Sequence, residues 1–394
     1  MEMDYNMTFL VGNENILINI NKIPALPIFS DIIISFLNDL SKRLRRNAEA
    51  KEMQDVLSYA FWIRKASVEK EKSNHINIER RMGRGVTFHI APSNVPINFA
   101  VSMTSALLAG NACIIRVSNK QFEQVNIVCN EIRYLLDTEY EELKRYICIV
   151  RYEHDLETTQ MISNMCDVRI IWGGNDTINL IRQAKLPPRA IEMAFADRYS
   201  LAIIDAEQYL KCDKQEIAEL FYTDTYYSDQ NACSSPRIVI WTGKNKELAR
   251  KLFWSELESI VKDKYELHPI QVINKLDSFC RLTAKNGDGF GLITTSNYLY
   301  RVEVEKLAED LMEYKEAGGY FFEYLADSVD EIVPILGKKC QTVAVLGIEE
   351  SQIRDLVYRN GVRGVDRIVS LGKTMELSFK WDGYDMIETM SRII

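Results

Sequence analysis

Over residues 86–204, short apolar runs alternate with segments of helical spacing. VTFHI (86–90), ACIIRV (112–117), ICIVR (147–151), VRIIW (168–172) and residues 200–204 are nearly continuous apolar stretches rich in β-branched residues, the pattern of strands buried on both faces. Between them, apolar residues recur at three- and four-residue intervals. That spacing predicts helices over 96–109, 122–136 and 156–163, and another entered through Gly173-Gly174-Asn175-Asp176. Pro96 suits a first helical turn, and Gly110-Asn111 suits a helix end. Strand–helix–strand units of this length set successive strands parallel with right-handed crossovers, so the stretch predicts an open parallel α/β sheet.

Upstream, Ser30 offers an N-cap to a helix with apolar positions at Ile33, Phe36, Leu37, Leu40 and Leu44. Val56, Tyr59, Ala60 and Ile63 repeat the spacing, and the charged runs KRLRR and EKEK read as solvated faces. Near residue 206 a second α/β unit is expected to begin, with a helix over 214–225, a loop around Cys233, a strand over 237–241 and alternation through Leu346. The expected organisation is a helical segment over 1–80, an α/β domain over 81–206 and a second α/β domain over 207–365. A tail over 366–394 returns to the first α/β domain or forms an oligomer interface.

Composition narrows the partners. The 394 residues are 47% hydrophobic and 26% charged, which excludes a disordered or low-complexity chain. With 48 basic and 56 acidic residues the net charge is −8, so the broad positive field that attracts nucleic acid or an anionic membrane is missing. The eight cysteines include no C-x-x-C pair, which leaves a metal site without support and suits a reducing, cytoplasmic setting. MEMDYNMTFL is unlike a signal peptide, and no uncharged run reaches membrane-spanning length.

Open α/β sheets bind ligands beyond the carboxyl ends of their strands. Two loops qualify: Ala91-Pro92-Ser93-Asn94 after VTFHI, and Gly173-Gly174-Asn175 after VRIIW, where paired glycines admit a close ligand. No G-x-G-x-x-G occurs. A third feature is Asp229-Gln230-Asn231-Ala232-Cys233-Ser234-Ser235-Pro236, a thiol among small and amide residues directly before a strong strand. Small neighbours leave such a thiol accessible, and consecutive loop amides stabilise a thiolate or an oxyanion. The other seven cysteines read as buried apolar fillers, and His89, in mid-strand, as a satisfied core histidine.

HIAPSNVPINFAVSMTSALLAGNACIIRVSNKQ, WGGNDTI and DQNACSSPR, in that order, resemble the LuxC-type acyl-CoA reductases of the aldehyde dehydrogenase superfamily. The resemblance runs from Ala60-Phe61-Trp62 to the tail at Gln341-Thr342-Val343 and Trp381-Asp382-Gly383. It implies an aldehyde dehydrogenase-like fold of two Rossmann-like parallel-sheet domains plus N-terminal helices, with 81–206 binding NADP and 207–365 carrying the nucleophile. It also implies reduction of an acyl-CoA to the aldehyde with NADPH, through a thioester on Cys233 that releases coenzyme A. Asn94 matches the oxyanion-binding asparagine. Glu192 resembles the general-base glutamate, although Ala194-Phe195-Ala196-Asp197 stands where a double glycine is usual.

For the cofactor, the resemblance points to Ala91, Pro92, Ser93, Arg116, Ser118, Asn119, Lys120, Gly173, Gly174 and Asn175. No carboxylate follows the second strand, and Ser118, Asn119 and Lys120 suit a 2′-phosphate, which favours NADPH. Arg116 replaces the usual lysine. The E-x-F-G-P motif that orients the nicotinamide ribose is absent, leaving Gln341 as a candidate for that task. A homo-oligomer and an acyl-protein synthetase or acyl-transferase partner follow by analogy. Alternative readings are an oxidative aldehyde dehydrogenase, a reductase of another acyl donor such as an acyl-carrier protein, and a degenerate nucleotide- or partner-binding module.

Overall fold

A computed structural model describes residues 7–287 and 289–394. The chain forms two units: one running up to Ala196 and including Leu377–Ile394, the other Asp197–Glu376. In the first, among the described residues, the sheet order is β1 (Met7–Val11), β5 (Ile147–Tyr152), β4 (Ala112–Arg116), β3 (Val86–Ile90), β6 (Val168–Trp172) and β7 (Ile191–Phe195), while β2 (Arg81–Gly83) lies outside it. β3, β4 and β6 are buried along their whole length, and every pair from β5 to β7 is parallel. β1 joins β5 antiparallel. The edge strands β1 and β7 lie outside the sequence expectation, because both are half-buried and carry no continuous apolar run.

The helix Asp31–Arg46 buries Ile33, Phe36, Leu37, Leu40 and Leu44 as its spacing predicts. Ser30 occupies the cap position, but its side chain makes no capping bond. Arg43 and Asn47 instead converge on Glu131 of the helix Glu123–Thr138, tying the N-terminal helices to the sheet's crossover layer.

The second unit orders β8 (Tyr199–Asp205) through β14 as β10-β11-β12-β9-β8-β13-β14 among the described residues. Here β9 is Pro236–Thr242, β10 Phe290–Ser296, β11 Leu299–Val304, β12 Tyr320–Leu325, β13 Cys340–Leu346 and β14 Arg367–Ser370. All pairs are parallel except the β10–β11 hairpin. Glu323, fully buried on β12, accepts from the indoles of Trp241 and Trp254 and faces Arg301 and Arg250, so the charge inside this unit is both hydrogen-bonded and paired.

The boundary expected at residue 206 falls after Ala196. Residues 199–205 read as one more strand of the first alternation, yet they pair with β9 and β13. Alternation along a chain gives the order of strands and says nothing about which sheet receives them. The tail likewise begins at Leu377 and not at 366, because β14 completes the second sheet. Past that point the chain adds β15 (Lys380–Trp381), β16 (Tyr384–Asp385) and β17 (Ser391–Ile393), the last pairing with β2. Phe379 stacks on Trp62 at 4.3 Å, and Asn111 donates to the Met390 carbonyl.

An ion-pair cluster joins this tail to the helix Lys65–Asn74. The buried His75 ring lies 3.3 Å from Glu71 and 3.7 Å from Glu388, with Asp385 and Lys380 alongside. The Glu71 carboxylate, and then the charges of Asp385 and Glu388, raise the His75 pKa against the effect of burial, while His75 lowers that of Glu71. Stability from the raised imidazole is fully present below its ordinary value of 6.5 and is lost as the pH rises through the folded value. Stability from Glu71 is present above 4.5 and is lost as the pH falls through its own folded value. His75→Gln is therefore expected to lower the thermal midpoint by about 2–4 °C near pH 6 and by little near pH 8.5. Equal drops at both pH values, read by calorimetry, would contradict this.

Candidate active site

The Cys233 loop is held by its neighbour Gln230. Asp229 and Gln230 both take left-handed backbone angles, φ 52° and 58°, which disfavours an L-residue unless its surroundings compensate. The Gln230 amide uses all its capacity. Nε2 donates to the carbonyls of Pro236 and Tyr320 at 3.0 and 3.1 Å, and Oε1 accepts from the amides of Gly319 and Tyr320 at 3.1 and 3.2 Å. The Arg237 guanidinium closes the loop from the other side, donating to the carbonyls of Gln230 and Glu316.

Three parallel strands then set the chemistry. β8, β9 and β13 are neighbours, so their amino ends share one edge of the sheet. Ser200, near the start of β8, donates to the Cys233 carbonyl at 2.7 Å and accepts from the Thr342 amide at 3.1 Å. Gln341, near the start of β13, donates from Nε2 to Cys233 Sγ at 3.1 Å. Ser234 Oγ donates to the Met375 sulfur, and buried Asp224 accepts from the amides of Gly372 and Thr374, fixing that flanking turn. Burial pushes the Asp224 carboxyl up to about 6 in spite of those bonds.

A buried guanidinium acts on this thiol. Burial brings the Arg237 pKa down to about 10, with the charges of Glu316, Asp197 and Cys233 opposing the fall. Arg237 therefore stays cationic at neutral pH, and by reciprocity its charge favours the Cys233 thiolate. Burial pushes Cys129, Cys148, Cys166 and Cys340 up to about 12 and raises Cys113 as well. Those five are the expected fillers. Cys212 is half-buried and Cys280 is exposed on the helix Pro269–Asn286, so the expectation of seven buried thiols holds for five.

In the first unit, β4, β3 and β6 are adjacent and parallel, so the loops after them leave the same sheet edge. Residues 91–94, 116–120 and 173–175 are thereby brought together. Ser93, Asn94 and Lys120 are exposed there, and a Cβ on Gly174 would meet only open space. The helix expected from Pro96 starts at Asn98, which leaves Pro96 in the loop. Arg116 is buried, donates to the Tyr152 carbonyl and lies over that ring at 4.8 Å, so it supports the strand end. Ser118 accepts from the Lys120 amide at 3.2 Å and shapes the turn. A groove of about 610 Å³ runs along Leu156, Gln160, Met161, Met165 and Gln183, and its thioethers offer a flat apolar surface. His89, bonded to Ser102 and Thr87 and brought down to about 3 by burial, is a neutral core residue.

A family model described as acyl-CoA reductase (LuxC) matches residues 12–393. The chain belongs to that family. Among similar proteins, the long-chain acyl-protein thioester reductase of Aliivibrio fischeri is 27% identical over 310 residues, 73% of this chain and 58% of that protein. The long-chain acyl-protein thioester reductase 2 of Photobacterium leiognathi is 25% identical over 334 residues, 80% and 64% of the two chains. The chain thus spans less than two thirds of the length of these curated relatives. Aldehyde dehydrogenase 21 from Physcomitrella patens superposes with a TM-score of 0.67 at 12% identity, covering 92% of this chain and 85% of its own. A lactaldehyde dehydrogenase gives 0.62 at 13%, covering 90% and 81%. The fold is that of the aldehyde dehydrogenases.

Against that family pattern Glu192 departs from a free general base. It is the second residue of β7, and its two oxygens are taken by Arg169 at 2.5 Å and Arg182 at 2.7 Å. Sequence reasoning missed Gln230, Ser200 and Arg237. Only Arg237 carries a local signal, a charge opening an otherwise apolar strand. Gln230→Leu would leave four buried backbone groups unsatisfied and is expected to cost about 3 kcal/mol of unfolding free energy. Urea denaturation checks this, and an unchanged free energy would show that the loop is held by other means.

Proposed function

We propose that this chain reduces a long-chain acyl thioester to the aldehyde through a covalent acyl group on Cys233. The observation that carries the reading is the Cys233 setting: a half-buried thiol with Gln341 on its sulfur, Ser200 on its carbonyl and the buried Arg237 charge nearby. The family model supports an acyl-CoA donor, with coenzyme A as leaving group. The names of the relatives support an acyl-protein thioester as a second donor of the same chemistry.

In this reading the Cys233 thiolate attacks the thioester carbonyl, the donor thiolate leaves with a proton, and the acyl group stays on Sγ. Oxyanions form on the way, for which the Asn94 side chain and the Cys233 backbone amide are the proposed donors. A bound NADPH would supply hydride to the acyl carbon. Its proposed holders are residues 91–93, Ser118, Asn119, Lys120 and 173–175, and the apolar groove over Met161 and Met165 suits an adenine ring. Lys120, exposed and cationic, suits a 2′-phosphate. Arg116 would act by supporting the loop.

Glu192 bears on the fate of the acyl-enzyme. An aldehyde dehydrogenase that releases the free acid must hydrolyse its thioester and needs a base for the water. A carboxylate taken up by two guanidinium groups is poorly disposed for that task, which favours exchange with a donor thiol over hydrolysis.

Turnover tests the proposal. NADPH oxidation with aldehyde formation is expected on presenting acyl-CoAs of increasing length, or the same acyl groups on a carrier protein, and is expected to exceed that with NADH. Asn94→Ala is expected to lower kcat about a hundred- to a thousand-fold. No oxidation with any donor would favour a binding module and overturn the reading.

A further inference from the structure

The position of Gln341 in the sequence suits holding a nicotinamide ribose, whereas the structure sets its amide against the sulfur of Cys233. The cause is local. Pairing of β13 with β8 steps from Cys340–Tyr199 to Val343–Leu201, so Gln341 and Thr342 together oppose the single residue Ser200. Such a bulge re-aims side chains. Ser200 seals it by bonding both the Thr342 amide and the Cys233 carbonyl. Gln341 is fully buried, and Thr342 Oγ1 donates to its Oε1 at 3.4 Å. The amide NH2, and not the carbonyl oxygen, faces Sγ.

We propose that Gln341 is a catalytic residue, donating its amide N–H to Cys233 Sγ whenever that sulfur bears negative charge. The inference rests on Cys233 being the nucleophile. In acyl transfer, the bond from Sγ to the carbonyl carbon forms, the bond from that carbon to the donor sulfur breaks, and the donor thiolate takes up the proton that Cys233 gave up. Later, once a reduced nicotinamide has delivered hydride to that carbon, the carbon–Sγ bond breaks. Its electron pair leaves on Sγ and the aldehyde departs. Gln341 transfers no proton in either step. A donor on the sulfur lowers both its basicity and its nucleophilicity, so the gain falls mainly on the leaving step. The absence of E-x-F-G-P and the presence of glutamine here then have one explanation: this stretch of chain serves the sulfur.

The test is alkylation of purified wild type, Q341L and Q341E by iodoacetamide across about pH 5 to 10, with the adduct on the Cys233 peptide quantified by mass spectrometry. The midpoint is expected to rise by about one pH unit in Q341L, leaving about tenfold less thiolate at any pH well below both midpoints. It is expected to rise further in Q341E, where a carboxylate opposes the charge. Q341E keeps the size of the side chain and carries the measurement where Q341L fails to fold. An unmoved midpoint in the folded variants overturns the proposal. Acyl labelling of wild-type Cys233 by an acyl-CoA is scored in parallel. Its absence defeats the nucleophile reading whatever the midpoints do, whereas labelling with unmoved midpoints defeats only the role of Gln341.

Discussion

A parallel strand buried on both faces has little room for polar chemistry along its length, so reactive groups gather where such strands start or stop. Both units of this chain obey that constraint, and they use opposite ends. In the first, the loops after β3, β4 and β6 collect polar side chains and an open glycine at the carboxyl edge. In the second, Ser200, Cys233 and Gln341 gather at the amino edge, where β8, β9 and β13 begin. Every residue proposed for the reaction, apart from those lining the groove beside Met161, lies at or near one of those edges.

The amino edge needs more support than the carboxyl edge, because no crossover helix begins there to organise it. Buried polar groups take over that task. Gln230 spends a whole side-chain amide on four backbone partners, Arg237 ties two carbonyls, and Asp224 grips two amides. Each replaces hydrogen bonds the loop would otherwise lose, which is why two adjacent left-handed residues persist before the cysteine. The same groups set the local charge, with Arg237 the nearby cation and Gln341 the donor on the sulfur.

The sequence made the central strands legible because continuous β-branched runs have few other uses, and it singled out Cys233 and Asn94 through their neighbours. The edge strands β1 and β7 escaped because half-buried strands lack that run. The domain boundary was misplaced because residues 199–205 look like any buried strand, and only their partners β9 and β13 reveal their sheet. Gln230 was invisible as a support because its partner Tyr320 lies 90 residues away. Glu192 matched a family position, while its partner Arg169 lies 23 residues upstream on the neighbouring strand.

The most direct measurement of the central claim is the mass of the intact chain after exposure to a long-chain acyl-CoA without nicotinamide, followed by peptide mapping and then addition of NADPH. One acyl group per chain is expected, located on the Cys233 peptide and discharged as aldehyde when NADPH is added. An acyl group found on another residue, or an adduct at Cys233 that NADPH leaves in place, would contradict it.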